Sequence, residues 1–416
     1  MLRNGTSRTR GTVLLAVVLV ILMSPPEVWT APVKCKTLHK FTGGRDGALP
    51  IAGLIFDQAG NLYGTTAQGG TKGWGTVFKV TRAGVESVIH SFNPDGGDGG
   101  FPEASLISDL AGNLYGTTGN GGSNGGYGTV FKLTPQGDGS WKETVLYSFE
   151  FDGKDGVGPY AALVFDPAGN LYGTTVSGGS NAYGTVFKLT PQGDGRWKET
   201  VLHSFSRDLN DGTYPYAPLT LDSAGNLYGT TWSGGQNDDG IVFKLTPNPD
   251  GSWKETVIHY FSYYGDGAAP TGGLIFDSAG NLYGTARVGC GPGECDYALG
   301  TVFKLTPNSD GNWTLNVIHT FSGADGVFPS SSLTFDVAGN LYGTTLLGGT
   351  YNDGVVYKLK LEVNGNWRET VLHSFRNHPG NAPFAGLIID EQGSLYGTTQ
   401  GNSTMGTVGS VFKVSP

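Results

Sequence analysis

Asp109-Leu-Ala-Gly-Asn-Leu-Tyr-Gly-Thr-Thr118 is the stretch that decides the fold, because the chain repeats it seven times. The seventh copy is altered in two of the shared positions but keeps Leu-Tyr-Gly-Thr-Thr. The copies begin at Asp57, Asp109, Asp166, Asp222, Asp277, Asp336 and Asp390. The spacing of 52 to 59 residues indicates an array of supersecondary units, either stacked in a line or closed into a ring.

Each repeat contains four short runs that are typical of β-strands, here called strands a to d. In the second repeat they are residues 106–108, 113–118, 129–133 and 143–149. The runs are rich in β-branched and aromatic residues and are bounded by Gly, Asp and Pro. Beyond the N-terminal leader the sequence shows no helical periodicity. It therefore predicts an all-β fold, a seven-bladed β-propeller with four antiparallel strands in each blade.

The two ends of the chain each supply a part of one repeat, and the parts complement each other. The last repeat stops after strand c, and residues 37–41 near the N-terminus match the strand d at 88–92. We expect residues 37–41 to pair antiparallel with 410–414, so that an N-terminal strand closes the C-terminal blade. This pairing leaves no open edge strand and makes residues 36–416 a single propeller domain.

One proline in each repeat precedes strand a, and the residue after it is expected at the mouth of the central channel. The seven residues after this proline are Ile51, Glu103, Tyr160, Tyr216, Thr271, Ser330 and Phe384. Only one of them is acidic, which argues against the carboxylate metal cage of lactonase-like propellers. The next two positions are small or Pro in every repeat, as expected where seven strands crowd one axis.

The repeat Gly-Asn-Leu-Tyr-Gly-Thr-Thr … Gly-Thr-Val-Phe-Lys-Leu-Thr … Val-Leu-His-Ser-Phe … Asp-Gly … Pro resembles the GloVer repeat. This repeat belongs to the choice-of-anchor tandem repeat family of bacterial secreted and surface proteins. The match covers residues 36–416. The resemblance implies a propeller-like array outside the cytoplasm, and it implies no particular activity.

Residues 1–30 have the features of a secretory signal peptide. Three arginines, Arg3, Arg8 and Arg10, precede an apolar run at 13–23. This run is short for a membrane span. We expect a secreted protein with no membrane insertion beyond the leader, although an uncleaved N-terminal anchor stays open because no cleavage site is clear.

The chain is acidic, with a formal net charge of −9, and it contains no basic run or patch. This charge argues against nucleic acids and anionic membrane surfaces as partners. We expect a monomer whose partner is an extracellular glycan or protein.

Three cysteines remain to be placed. Cys290 and Cys295 lie in the b–c loop of the fifth repeat, where an oxidising compartment favours a local disulfide. Half of a metal site is the alternative for this pair. Cys35 is left over just before the N-terminal closing strand.

Most of the other chemically active side chains recur once in each repeat, which indicates structural roles. Strand d carries a histidine at the same position in six repeats, and Tyr147 takes this position in the second repeat. We expect these side chains to be buried and hydrogen-bonded to backbone or hydroxyl groups, because copies distributed around the propeller cannot form one catalytic group. The six histidines are His39, His90, His203, His259, His319 and His373.

No catalytic fingerprint or cofactor motif stands in a suitable context, so we expect no catalytic residue, cofactor or metal. His378 is the one histidine outside the repeat pattern, in a loop. The Asp-Gly pairs before the repeat prolines are typical of turns. Calcium stays an alternative for loops such as Asp95/Asp98 and Asp152/Asp155.

The repeats differ most in the b–c loops and beside the proline, and the d–a and b–c loops should emerge on one face. The third and fourth repeats place Tyr160, Tyr214, Tyr216 and Trp232 there. Aromatic rings beside polar groups suit sugars and peptides. We expect a non-enzymatic propeller that binds an extracellular glycan or protein through this face. A glycan-active enzyme and a purely structural surface component stay open as alternatives.

Overall fold

The computed structural model describes residues 33–293, 298–376, 381–401 and 408–415. Within these ranges the chain is all-β except for one turn of 3-10 helix at Pro94–Gly96. Seven four-stranded antiparallel sheets form a ring, so the predicted seven-bladed β-propeller is confirmed. The described residues include no helix that is long and apolar enough to cross a membrane.

The blades follow the order of the repeats, and strand a lies at one edge of each sheet and strand d at the other. Strand a has two residues: Ile55–Phe56, Ile107–Ser108, Val164–Phe165, Thr220–Leu221, Ile275–Phe276, Thr334–Phe335 and Ile388–Ile389. Strand b is almost entirely buried: Leu62–Thr66, Leu114–Thr118, Leu171–Thr175, Leu227–Thr231, Leu282–Ala286, Leu341–Thr345 and Leu395–Thr399. Strand c comprises Thr76–Val80, Thr129–Pro135, Thr185–Pro191, Ile241–Pro247, Thr301–Pro307, Val355–Leu361 and Ser410–Ser415. Strand d comprises Glu86–Ser91, Trp141–Ser148, Trp197–Ser204, Trp253–Tyr260, Trp313–Thr320, Trp367–Ser374 and, for blade 7, Lys34–Lys40.

The N-terminal strand closes blade 7 as predicted. Lys34–Lys40 pairs antiparallel with Ser410–Ser415, and it has the same irregularity before its histidine that strand d has in the other blades. The strand begins earlier than expected, so Cys35 lies within it rather than before it. Cys35 is partly buried beside its strand partner Val414, and burial raises the pKa of its thiol to about 11. The thiol is therefore protonated at neutral pH.

Paired aromatic rings hold neighbouring blades together. The phenylalanine that follows strand d packs edge-on against the central aromatic ring of strand c in the next blade. The centroid distance is 5.0–5.2 Å at all seven boundaries: Phe41–Phe78, Phe92–Phe131, Phe149–Phe187, Phe205–Phe243, Phe261–Phe303, Phe321–Tyr357 and Phe375–Phe412. Edge-to-face pairs add about 0.5–1.5 kcal/mol each to the stabilisation from burial.

A ring of hydrogen bonds near the axis explains the repeated Gly-Thr-Thr. The threonine that follows the glycine donates its hydroxyl to a backbone carbonyl two residues after the proline of the next blade, except that Thr230 donates to the carbonyl of Pro270 itself. Thr398 donates to the carbonyl of Ala52 at 2.8 Å and so completes the ring. The small residues here are required by space: a Cβ atom on Gly272 would lie 2.5 Å from the carbonyl oxygen of Ser331.

The repeated turn between strands a and b is organised by its aspartate. In blade 2, Asp109 accepts hydrogen bonds from the Asn113 backbone and side chain and from the Tyr115 hydroxyl. Burial alone would raise the pKa of Asp109, but these hydrogen bonds lower it overall. The Lys132 ammonium lies 5.4 Å from the Tyr115 ring centroid, so the repeated lysine packs within its own blade.

Candidate functional site

The d–a and b–c loops emerge on the same face of the ring, as the sequence predicts. In blades 2 to 4 they pair through additional two-stranded sheets. These are Gly99–Gly100 with Asn120–Gly121, Gly156–Val157 with Ser177–Gly178, and Gly212–Thr213 with Ser233–Gly234. The loops that vary most between repeats are therefore held side by side on a rigid scaffold.

A left-handed residue before each repeat proline connects these loops. Tyr214 has a φ of 59°, its N–H donates to the Tyr183 carbonyl, and its own carbonyl accepts from the Trp232 N–H. A positive φ is unfavourable for a side chain other than Gly, and the following proline restricts the backbone further. Because the same geometry recurs in all seven blades, we attribute it to the fold rather than to a site in one blade.

This geometry defines three positions per blade on the loop face. The positions are the residue before the proline, the residue after it, and the residue directly after strand b. The first series is Leu49, Phe101, Gly158, Tyr214, Ala269, Phe328 and Ala382, and the second begins at Ile51 as given above. The third series is Ala67, Gly119, Val176, Trp232, Arg287, Leu346 and Gln400. Large aromatic and charged side chains concentrate in blades 2 to 6.

Four side chains on this face, Tyr160, Tyr214, Tyr216 and Trp232, are called the aromatic arc below. The Tyr160 and Tyr216 rings stack with centroids 6.5 Å apart, and the Tyr216 and Trp232 rings meet edge-on at 5.7 Å. Tyr214, Tyr216 and Trp232 line an open cavity of about 290 Å³ together with Ser233. Tyr214 is 36% exposed and Tyr216 is 41% exposed. The structure thus brings together the four residues that the sequence selects.

The members of the aromatic arc differ in how far they pack against the protein and how far they are exposed to solvent. The Tyr160 ring lies against Gly119 of blade 2, where an added Cβ atom would come within 2.3 Å of the ring. Tyr160 therefore also packs the loops together, whereas Tyr216 presents more of its surface to solvent. Burial raises the pKa of both phenols, and the nearby Glu103 carboxylate raises it further.

Two charged residues flank the aromatic arc. Glu103 follows the proline of blade 2, and burial raises the pKa of its carboxyl group. Arg287 follows strand b of blade 5, with its guanidinium carbon 5.5 Å from the Trp232 ring centroid and 5.8 Å from that of Phe328. Burial lowers the pKa of Arg287, but an arginine remains charged at neutral pH. Sequence reasoning missed Arg287, and its signal is the position directly after Gly-Thr-Ala in blade 5.

The repeated histidines are largely but not fully buried, and the partner predicted for them is wrong. Five of the six face the aspartate of the following Asp-Gly pair rather than a backbone or hydroxyl group, whereas His373 precedes Asn381 at this position. The Nε2-to-carboxylate distances are 2.8–3.5 Å for His39–Asp46, His90–Asp98, His203–Asp211, His259–Asp266 and His319–Asp325. In blade 2 the Tyr147 hydroxyl donates to Asp155 instead, at 2.9 Å. These pairs anchor the start of six of the seven d–a loops.

In the two loops for which calcium is an alternative, aspartate carboxylates accept hydrogen bonds from the backbone of the loop itself. Asp98 accepts hydrogen bonds from the Asn93 and Gly99 backbones, and Asp155 accepts them from the Glu150 and Gly156 backbones. Within the ranges that the structure describes, no group of three or more His, Cys, Asp or Glu side chains is arranged to hold a metal ion.

Three sequence predictions fall on residues outside the described ranges. They concern the expected leader at residues 1–30, Cys295 of the expected disulfide, and His378. Cys290 itself is buried in the b–c loop of blade 5. The pairing of Cys290 with Cys295 stays a prediction.

Three overlapping segments, residues 27–220, 124–294 and 220–416, match the Gloeobacter/Verrucomicrobia repeat. Together they span most of the chain, so the chain belongs to this family and the resemblance found in the sequence is confirmed. No curated protein matches the chain.

Two solved structures illustrate how widely this fold is shared. A candidate 6-phosphogluconolactonase from Bacteroides uniformis is 15% identical, with a TM-score of 0.53 over 81% of this chain and 88% of that chain. PorZ, a surface component of the type-IX secretion system of Porphyromonas gingivalis, is 15% identical, with a TM-score of 0.51. The latter match covers 86% of this chain and 46% of PorZ. Similarity at this level of identity shows the propeller fold alone.

Proposed function

We propose that this chain is a secreted, non-enzymatic β-propeller that binds an extracellular glycan or protein through the aromatic arc. The observation that carries the proposal is the continuous contact of Tyr160, Tyr216 and Trp232 beside an open cavity of about 290 Å³. The same positions hold Ile51 and Ala67 in blade 1, so the fold itself does not require large aromatic residues there.

The chemistry of the aromatic arc favours a glycan as the ligand. Exposed aromatic faces pack against the apolar faces of sugar rings, and adjacent hydroxyl groups supply hydrogen bonds. The arc offers the phenols of Tyr214 and Tyr216 for this purpose, and Ser233, whose hydroxyl is hydrogen-bonded to that of Thr213, lines the same cavity. Because the paired loops are already ordered by backbone hydrogen bonds, little conformational entropy is lost when a ligand binds.

A glycan array probed with the purified protein tests this function. We expect selective binding to a related group of oligosaccharides, and loss of that binding when Tyr216 and Trp232 are both replaced by Ala. The matched control is the replacement of Tyr264, an aromatic side chain that is 75% exposed and lies outside the arc. Array binding that survives the double replacement would contradict the proposed site.

A glycan-active enzyme is the second candidate, and Glu103 is the observation that favours it. Glu103 is a half-buried carboxyl group whose pKa is raised by burial, and its place beside Tyr160 and Tyr216 makes it a candidate general acid. Chromatography of the bound oligosaccharides after incubation separates the two functions. Shortened products that disappear with Glu103→Gln would replace the binding proposal by a catalytic one.

A further inference from the structure

Arg287 lies at the blade 5 end of the aromatic arc and is held there by its neighbours. Its guanidinium is placed over both Trp232 and Phe328, and its backbone N–H donates to the carbonyl of Ala269. Stacking on two rings restricts a side chain that is otherwise flexible, so the cation is presented in a defined position.

The charge of Arg287 is not neutralised by the part of the protein that the structure describes. None of the described carboxylates forms an ion pair with its guanidinium, in contrast to Arg196 with Asp194 and Arg368 with Glu362. No described side chain or backbone carbonyl accepts a hydrogen bond from its side-chain N–H groups. A half-buried cation loses hydration, and an anionic ligand would replace that hydration with charge-assisted hydrogen bonds.

We propose that the aromatic arc binds acidic oligosaccharides, with Arg287 contacting the carboxylate of a uronic or sialic acid residue. This inference rests on the proposed function and names its ligand class. Arginine presents paired N–H donors that match the two oxygens of a carboxylate. The sugar ring that carries the carboxylate then packs against Trp232, whose ring lies beside both Arg287 and the cavity.

The net charge of the protein makes this contact decisive for specificity. With a formal charge of −9, the chain as a whole repels anions at long range. Binding of an acidic sugar therefore depends on the short-range contact with Arg287. At the opposite end of the arc, the Glu103 carboxyl group lies close enough to Tyr160 and Tyr216 to raise the pKa of both phenols. The face is therefore positive at blade 5 and acidic at blade 2. This polarity orients an acidic chain on the arc.

The test uses the full protein and a panel of uronate- and sialate-containing oligosaccharides, each paired with a form whose carboxyl groups are reduced to alcohols. We expect the acidic form to bind at least tenfold more tightly than its reduced partner. Arg287→Gln should remove this preference and leave the reduced forms unaffected, and Arg287→Lys should restore only part of it. The control Arg196→Gln removes the same charge from an exposed turn and should change nothing.

The outcomes separate this inference from the proposed function. Equal binding of acidic and reduced forms, together with an unchanged affinity of Arg287→Gln, would overturn the inference and leave a neutral glycan site. If no oligosaccharide binds but a peptide with a free C-terminal carboxylate does, the inference fails and the proposed function holds for a protein ligand. If neither an oligosaccharide nor a peptide binds, both fail. Should Arg287→Gln not fold, the comparison of acidic and reduced forms on the unaltered protein decides the question.

Discussion

Replacing Glu255 with Gln should stabilise the propeller at alkaline pH and leave its stability almost unchanged at acidic pH. Glu255 lies in strand d of blade 4 and faces the His203–Asp211 pair of blade 3. Its Oε1 atom is buried and accepts no hydrogen bond from the described part of the chain. Burial raises the pKa of Glu255 from 4.5 to about 7; Asp211 raises it further, and His203 opposes the rise.

The sign and size of the effect follow from this raised pKa. The unfolded chain releases the proton near pH 4.5, whereas the folded protein holds it until about pH 7. The stabilisation from the bound proton is therefore present below pH 4.5 and lost as the pH rises through 7. At about 1.4 kcal/mol for each pKa unit, the rise from 4.5 to about 7 sets an upper limit of about 3.5 kcal/mol. Because the carboxyl group is partly exposed, we expect solvent screening to leave about 1–2 kcal/mol.

Chemical denaturation of both proteins at pH 4.5 and pH 8.5 measures the difference. Glu255→Gln should raise the free energy of unfolding by about 1–2 kcal/mol at pH 8.5 only. Leu315 occupies the same position in blade 5, so the fold accepts an uncharged side chain there. The exposed Glu391→Gln is the matched control. An equal gain at both pH values, or no gain at pH 8.5, would refute the reasoning.

Three further predictions concern the closing strand, the loops and the ligand site. Phe41→Ala should lower the free energy of unfolding by about 3–5 kcal/mol in denaturation experiments, because the ring is buried at the closing boundary; a loss below 1 kcal/mol would contradict its role. Asp211→Ala should cost about 1–3 kcal/mol by leaving the backbone N–H groups of its loop without an acceptor, while the exposed Asp250→Ala should cost less, and equal losses would argue against this anchor. Replacing both Tyr216 and Trp232 with Ala should weaken ligand binding at least tenfold in calorimetric titration with an unchanged melting temperature; a protein that unfolds instead would assign both residues to packing.

The fold could be predicted because every blade packs against its neighbours with the same kinds of residue at the same positions. The phase of Phe41 relative to the strand d pattern was enough to place the N-terminal strand, since this position is occupied by a boundary ring in every blade. The partner of the histidine was not predictable in the same way. Asp98 is eight residues from His90, and the loop between them turns back only in the folded chain, so the local Asp-Gly sequence indicated no more than a turn.

The candidate site was predicted in part for a related physical reason. Tyr216 and Trp232 could be selected because aromatic residues in a Gly-rich loop are conspicuous. Arg287 occupies a position whose seven residues share no chemistry, so it belongs to no motif. Only the three-dimensional structure shows that this position lies beside Trp232 and the preceding proline segment.

The closed ring has a consequence for the position at which the chain can begin and end. Lys34 pairs with Ser415 across an antiparallel ladder, so the two ends of the described chain are neighbours. A hairpin turn like the one from Gln136 to Gly139 would join them, and the chain could then be opened at any of the six existing c–d turns. Such circular permutants would keep every blade boundary. The order of the blades around the axis is a property of the protein, but the blade that comes first is not.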